Sequence, residues 1–310
     1  MRKTANMYVA NVEKHFETGH IYIAYCEYNY MTKMKMENRI LILIIILQSI
    51  SQICVAQVDY YTLVDSAESC IKEHRWDRAE LFLKRVLTEY PDDNNNSLIL
   101  SNLATVQRYQ GKNVEALKNY SYAINMTPNA VTLLKNRASL YLDMDSVEDA
   151  CNDYERIIHI DENDEESRYY HGILSIRLNR MEDAKKDFDY ILFYNPASGL
   201  GREGLALWYK ERADYVEAVK HYSEIIKQRP TAILLSNRAE CYLALKRLND
   251  AAEDIRKALE MSPEDGYLYV LRAKLHKARF SKDDMEADLR QAEKFGIDRE
   301  LAMQILNKGK

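Results

Sequence analysis

Residues 232–265 read AILLSNRAECYLALKRLNDAAEDIRKALEMSPED, and their pattern decides the architecture of the chain. Leu235 and Ala239 stand four apart, on one face of a first amphipathic stretch. Ala251, Ile255 and Ala258, spaced by four and three, line one face of a second. Pro263 then stops the second stretch, because proline cannot continue a helix. The segment predicts two helices that fold back on each other.

Outward from this unit the pattern recurs. All five prolines, Pro91, Pro128, Pro196, Pro230 and Pro263, are separated by 37, 68, 34 and 33 residues, and 68 is two periods of 34. A small residue follows the same period: Ala67, Ala104, Ala138, Gly172, Ala206, Ala239 and Ala273. Twelve residues after each stand Ala79, Ala116, Ala150, Ala184, Ala218, Ala251 and Met285. Four further on come Leu83, Tyr120, Tyr154, Phe188, Tyr222, Ile255 and Leu289. Three beyond those are Val86, Ala123, Ile157, Ile191, Ile225, Ala258 and Ala292. A period of this length is the signature of a stacked array. The small column lets helix backbones approach closely, where a larger side chain would overpack by about 1–3 kcal/mol. One hairpin cannot bury its apolar face alone, so neighbouring units must bury one continuous core.

These columns resemble the tetratricopeptide repeat family over residues 60–299. The resemblance implies an all-α, right-handed α-solenoid of about seven helix-turn-helix units, at 60–93, 97–130, 131–164, 165–198, 199–231, 232–265 and 266–299. Glu162 and Ile297 stand where proline is usual, and Met285 where alanine is usual, so the third junction should be softer and the seventh unit degenerate. Residues 300–310 read as a capping helix, apolar on one side and charged on the other.

The start of the chain has a different character. Lys33, Lys35 and Arg39 precede the apolar run Ile40–Leu47, and Cys54-Val55-Ala56 closes the segment. This reads as a signal peptide over residues 34–56, cut between Ala56 and Gln57, which implies a periplasmic or secreted protein of bacterial type. The run is shorter than the roughly 20 residues that span a bilayer comfortably, so an uncleaved anchor is the alternative. Residues 1–33 read as an upstream extension of the gene, with Met34 or Met36 as the natural start.

Composition narrows the function. Six basic and four acidic residues precede position 57, leaving 37 against 44 and a net −7 for the remainder. That acidic balance argues against nucleic acid as a partner. Three cysteines remain after the cut, an odd number without close pairs, and read as small apolar core residues. The seven histidines form no pair at helical spacing, so no metal site is expected. Asp161–Glu166 is acidic but lacks the glycine and glutamate of a calcium loop, and reads as a helix start. Gly199, Gly201 and Gly204 match GxGxxG in a helical context without a strand before them, and read as a soft first turn that could act as a hinge. Nothing is arranged for catalysis, and no cofactor is expected.

The expected function is a non-catalytic scaffold for protein–protein interaction, binding a peptide or helix of a protein partner. The alternative is a structural component of an envelope assembly that contacts partners through its convex face or ends. The resemblance implies a concave groove lined by first helices. Its residues would include Asn102, Thr105, Tyr109, Lys135, Asn136, Ser139, Tyr169, Tyr170 and Ile173, then Ser236, Asn237, Glu240 and Tyr267. Neighbouring tyrosines and amides there combine apolar area with hydrogen-bonding tips, which suits peptide recognition. The segments Lys135–Ala138 and Ser236–Ala239 are similar to chaperone-tail clamps. The flanking positions that a clamp fills with cations hold Ser101, Thr105, Glu166 and Tyr170 in one case. In the other they hold Glu203, Leu207, Tyr267 and Leu271.

Overall fold

A computed structural model describes residues 60–307, and the segments expected to be a signal peptide and an upstream extension lie outside them. The described residues form fifteen α-helices and no strand. The chain divides into two compact units at Asp93 and Asn94. In the first, α1 spans 60–72 and α2 Trp76–Glu89. Ala67 of α1 and Ala79, Leu83 and Val86 of α2 are buried, and the Tyr60 and Tyr90 rings meet edge to face at 5.3 Å.

The second unit holds six hairpins and one more helix. The hairpins are α3 Asn96–Tyr109 with α4 Asn113–Met126, α5 Val131–Asp143 with α6 Val147–Ile160, and α7 Glu165–Arg177 with α8 Met181–Tyr194. They continue as α9 Gly199–Glu211 with α10 Tyr215–Gln228, α11 Ala232–Ala244 with α12 Leu248–Met261, and α13 Gly266–Ala278 with α14 Lys282–Lys294. Helix α15, Arg299–Asn307, closes the array. Each helix packs on the next in chain order. First helices also touch first helices, α3 on α5, α7 on α9, α11 on α13 and α13 on α15. Among the described residues no comparable contact joins successive second helices, so the second unit is a solenoid with first helices gathered along one side. No described helix is long and apolar enough to cross a membrane.

The small and aromatic columns meet in the interior. Ala104, Ala138, Ala206, Ala239 and Ala273 are fully buried, as are Tyr120, Phe188, Tyr222, Ile255 and Leu289. The third junction lacks proline, yet α6 still ends at Ile160. There Asp164 accepts the backbone N–H of Ser167 at 2.7 Å and caps the next helix. Burial raises the Asp164 pKa, but bonds from Lys135 and Ser167 outweigh it and hold the carboxyl below its ordinary value.

The turn inside each hairpin has a second period, carried by the backbone. His74, Gly111, Asp145, Asn179, Ala213, Lys246 and Phe280 all have φ between +55° and +76°. Each follows a first helix, and the next residue's N–H reaches back five residues, as in Ser146 to Tyr141 at 2.8 Å and Ser281 to His276 at 2.9 Å. This left-handed closure suits glycine, but only Gly111 supplies one. Phe280 sits there at φ 63° with its ring 95% exposed. Phe280→Gly should therefore stabilise the last hairpin by up to about 1 kcal/mol, relief of left-handed strain exceeding the added freedom of the unfolded chain. Chemical denaturation checks this, and a lower stability would mean the ring makes contacts that hold the turn.

An ion pair with a buried aspartate recurs between the helices of a hairpin. Sixteen residues separate Arg137 from Asp153, Arg238 from Asp254 and Arg272 from Asp288, each pair joined through two guanidinium nitrogens. Arg137 also donates to Ser121 of α4 at 3.1 Å, and Arg238 to Ser223 of α10 at 2.9 Å. One side chain thus fastens three helices across two repeats. In the α7–α8 hairpin His171 takes this position, its Nδ1 2.5 Å from Asp187. Burial alone would depress the His171 pKa, but Asp187 and the Cys151 thiol override it and raise it to about 10. The three described cysteines, Cys70, Cys151 and Cys241, are buried and free.

Candidate binding face of the first helices

All thirteen residues expected to line the groove sit on first helices of the second unit: three each on α3, α5, α7 and α11, and Tyr267 on α13. Several are engaged in bonds across repeats. Lys135 donates to Asp164 at 3.2 Å and Glu166 at 2.8 Å, and Arg108 donates to Ser139 at 2.9 Å and Asp143 at 2.5 Å. Lys210 donates to Asn237 at 2.9 Å and to Glu240, and the Tyr267 hydroxyl donates to the other Glu240 oxygen. Burial opposes the charge of Glu240, but the Lys210 ammonium holds its carboxyl below the ordinary range. Thr105 is bonded to Tyr120 at 2.8 Å, and the Ser236 hydroxyl turns back to the Ile233 carbonyl at 2.8 Å. Ile173 packs against the Phe188 cluster. Asn102 and Asn136 lie half-buried, outside these pairs.

The tyrosines divide by environment. Tyr169 is half-buried, 6.4 Å from the Phe188 ring. Burial and the Glu203 carboxylate push the Tyr169 pKa up. Tyr170 is 38% exposed and stacks on Tyr154 at 5.3 Å, and Tyr109 is 66% exposed.

Three residues outside the expected set belong to this face: Arg108, Lys210 and Glu203. Glu203 stands one repeat, 34 residues, beyond Tyr169, and that offset is the signal that pairs side chains on adjacent first helices. Burial raises the pKa of the Glu203 carboxyl, against the opposing pull of Tyr169. Such a group is destabilised where it must ionise, so folding stability falls as pH rises from the ordinary glutamate value through the raised one. Glu203→Gln should therefore raise Tm at neutral pH, and the gain should vanish as pH drops below about 4. Melting curves at several pH values decide this, and a Tm unchanged at pH 7 would show the carboxyl to be adequately solvated.

Tyr222 on α10 is fully buried, and its hydroxyl has no hydrogen-bond partner. Burial pushes its pKa up, with Cys241, Glu203, Glu240 and Tyr169 acting on it in turn. An unsatisfied buried hydroxyl costs about 1–3 kcal/mol. Among the described residues no cluster of histidine, cysteine or carboxylate could hold a metal ion.

The comparisons agree with this architecture. The tetratricopeptide repeat family model matches residues 202–266. A crystal structure of a tetratricopeptide repeat protein from Parabacteroides merdae ATCC 43184 is 33% identical. It covers 80% of this chain and 97% of its own, with a TM-score of 0.70. The Cut9–Hcn1 hetero-tetramer structure shares the fold at 14% identity, with a TM-score of 0.60 over 78% of this chain and 47% of that one. Hsp70-Hsp90 organizing protein 1 of Glycine max is 27% identical over 199 residues, half of this chain and 34% of that protein. The chain thus spans about a third of the length of that curated relative. With a third of the aligned residues identical to those of a solved repeat protein that is matched over 97% of its length, the chain belongs to the tetratricopeptide repeat family.

Proposed function

We propose that the chain is a non-catalytic scaffold of the cell envelope or exterior that holds a peptide or helix of a protein partner against its first helices. The observation that carries this reading is the face itself: first helices touch one another along one side and leave Tyr109 and Tyr170 partly exposed there. Tyrosine at such a face offers apolar area and a hydrogen-bonding tip at low entropic cost. Charges on it are largely matched within the protein, so recognition would rest on shape, amides and aromatic surface.

Tyr170→Ala should weaken capture of a partner about tenfold or more, the loss typical of an interface aromatic, while Tm changes little. The pairing to test is the full chain with a partner captured from its own host and then purified. Unchanged affinity would remove the face from the reading. Extracytoplasmic location rests on residues 34–56, and N-terminal sequencing of exported protein should begin at Gln57. Full-length protein retained in the cytoplasm would overturn it.

A second reading has one observation in its favour. On α8 the Tyr190, Phe193 and Tyr194 rings cluster with centroids 4.6 and 5.0 Å apart, and Phe193 is 78% exposed. This apolar patch on a second helix suits an assembly that contacts partners through its outer face. Phe193→Ala, and not Tyr170→Ala, would then abolish association.

A further inference from the structure

Of the arginines in the recurring ion pairs, one keeps an arm to spare. Arg137 and Arg238 each spend Nε and Nη2 on an aspartate and Nη1 on a serine of the preceding second helix. Those serines, Ser121 and Ser223, directly follow Tyr120 and Tyr222 of the large column. Arg272 holds Asp288 in the same way, through Nε at 2.9 Å and Nη2 at 2.6 Å. Behind it, however, the residue that follows Ile255 of the large column is Arg256. A guanidinium accepts no hydrogen bond, so among the described residues the Nη1 of Arg272 has no partner. The Arg272 side chain is 38% exposed, against 17% for Arg137 and 15% for Arg238.

A cavity of about 420 Å³ opens at this place, between α12 and α13. Leu259 and Leu275 give it apolar walls. Arg272, His276 and Arg279, spaced by four and three along α13 and its cap, line it from one helical face, and Arg256 and Glu260 line it from α12. Most of these charges are matched. Glu253 and Glu260 hold Arg256, and His276 lies 3.5 Å from Asp288 and 3.9 Å from Asp284. Arg279 is different: its Nη2 donates to the Leu248 carbonyl at 3.3 Å and to the Asn249 side-chain oxygen at 3.1 Å, both neutral. Asn249 is the second residue of α12, and the second residue of α6 is Glu148, which pairs with Arg180. Arg279 thus keeps its full charge beside a cavity whose wall holds another guanidinium with an N–H unspent.

We propose that the cavity between α12 and α13 is a site for a small organic anion, a carboxylate or phosphate carried on an apolar body. Arg279 supplies the counter-charge, and the Nη1 of Arg272 donates to the same oxyanion, a charge-assisted bond that guanidinium groups make well. The hydrocarbon of the ligand lies along Leu259 and Leu275. The volume falls within the roughly 300–1,000 Å³ of small-molecule sites, which combine apolar walls with a few placed polar groups. None of the lining residues is among those proposed to meet a protein partner, and neither reading needs the other.

The test titrates the full chain with four probes, hexanoate, hexyl phosphate, inorganic phosphate and 1-hexanol, followed by NMR. Hexanoate or hexyl phosphate should bind about tenfold more tightly than hexanol, the margin that one hydrogen bond to a charged group supplies. Arg279→Gln, an exposed change, should erase that margin. Arg256→Ser restores the serine of the other repeats, so it should occupy the free arm of Arg272 and weaken binding severalfold with Tm little changed. Arg180→Gln, the same loss of charge in another repeat, should leave binding intact. A preference for hexanoate over hexyl phosphate upholds the site and assigns it to carboxylates, and the reverse upholds it and assigns it to phosphates. Equal binding of both anions and hexanol, or a preference that survives Arg279→Gln, overturns the site. A preference lost equally in Arg180→Gln would mark a general charge effect and overturn it as well. Inorganic phosphate binding as tightly as hexyl phosphate would show that the apolar walls take no part, and would overturn the organic ligand.

Discussion

Asp254→Ala should destabilise the array by about 3–5 kcal/mol, the loss expected when one partner of a buried ion pair is removed. Both Arg238 contacts to Asp254 are 2.7 Å, and the two side chains are 15% and 3% exposed. Burial disfavours the Arg238 charge, but the bond to Asp254 reverses this and raises its pKa. Without that carboxylate a guanidinium would remain buried with one serine hydroxyl for company. Its three-helix fastening would fail as well, because Arg238 joins α10, α11 and α12. Hydrogen exchange should accelerate in those helices before it does in α3 and α4, since each repeat leans only on its neighbours.

Asp288→Ala is a graded control. Arg272 is 38% exposed and can rehydrate, so the cost there should be smaller. Replacing Arg238 and Asp254 together by leucine and methionine should recover most of the loss, because a well-packed apolar pair can equal a buried ion pair. A single Asp254→Ala variant as stable as the parent in urea would show that water reaches Arg238 and that the pair contributes little.

Gly204→Ala should destabilise by about 1–3 kcal/mol even though alanine is the better helix former. A Cβ on Gly204 would lie 2.1 Å from Phe188 Cδ1, and one on Gly172 would lie 2.5 Å from Cε1 of the same ring. The ring is fully buried between α7 and α9 and has nowhere to withdraw. Gly199→Ala, in the same glycine-rich segment, meets nothing within 4 Å and should be neutral or slightly stabilising. Opposite signs from two substitutions five residues apart would identify close approach as the reason for Gly204. Phe188→Leu in the Gly204→Ala background should recover part of the loss, a coupling that thermal melts of the four-variant cycle would read directly. Additive effects would show that ring and glycine do not share their space.

The period, the helix pairs and the buried columns were legible in the residues because proline and alanine carry those constraints themselves. The ion pairs were not. Arg137, Arg238 and Arg272 each stand one place before the small column, and Asp153, Asp254 and Asp288 one place before the large one. That register was visible, but polar residues on amphipathic helices are ordinarily solvated. The glycines of the α9 start looked like softness, but Gly204 packs on Phe188 and Gly201 on Ile191 and Leu192, a reason that only the fold reveals. The hairpin turns escaped because six of seven left-handed positions are not glycine. On the binding face the residue types were readable, but their mutual satisfaction was not. Lys210 meets Glu240, and Lys135 meets Glu166, only because stacking sets residues about one period apart side by side.

Those left-handed turns have a consequence for how the chain can vary. The fold closes each hairpin with backbone bonds, so the side chain at the turn writes nothing into the architecture. Histidine, glycine, aspartate, asparagine, alanine, lysine and phenylalanine all occupy it. The hairpin tips are thus free text on a fixed page, where lettering can change from repeat to repeat while the binding stays whole. Phe280 is the boldest letter, a bare aromatic ring held in water on a backbone that would prefer glycine.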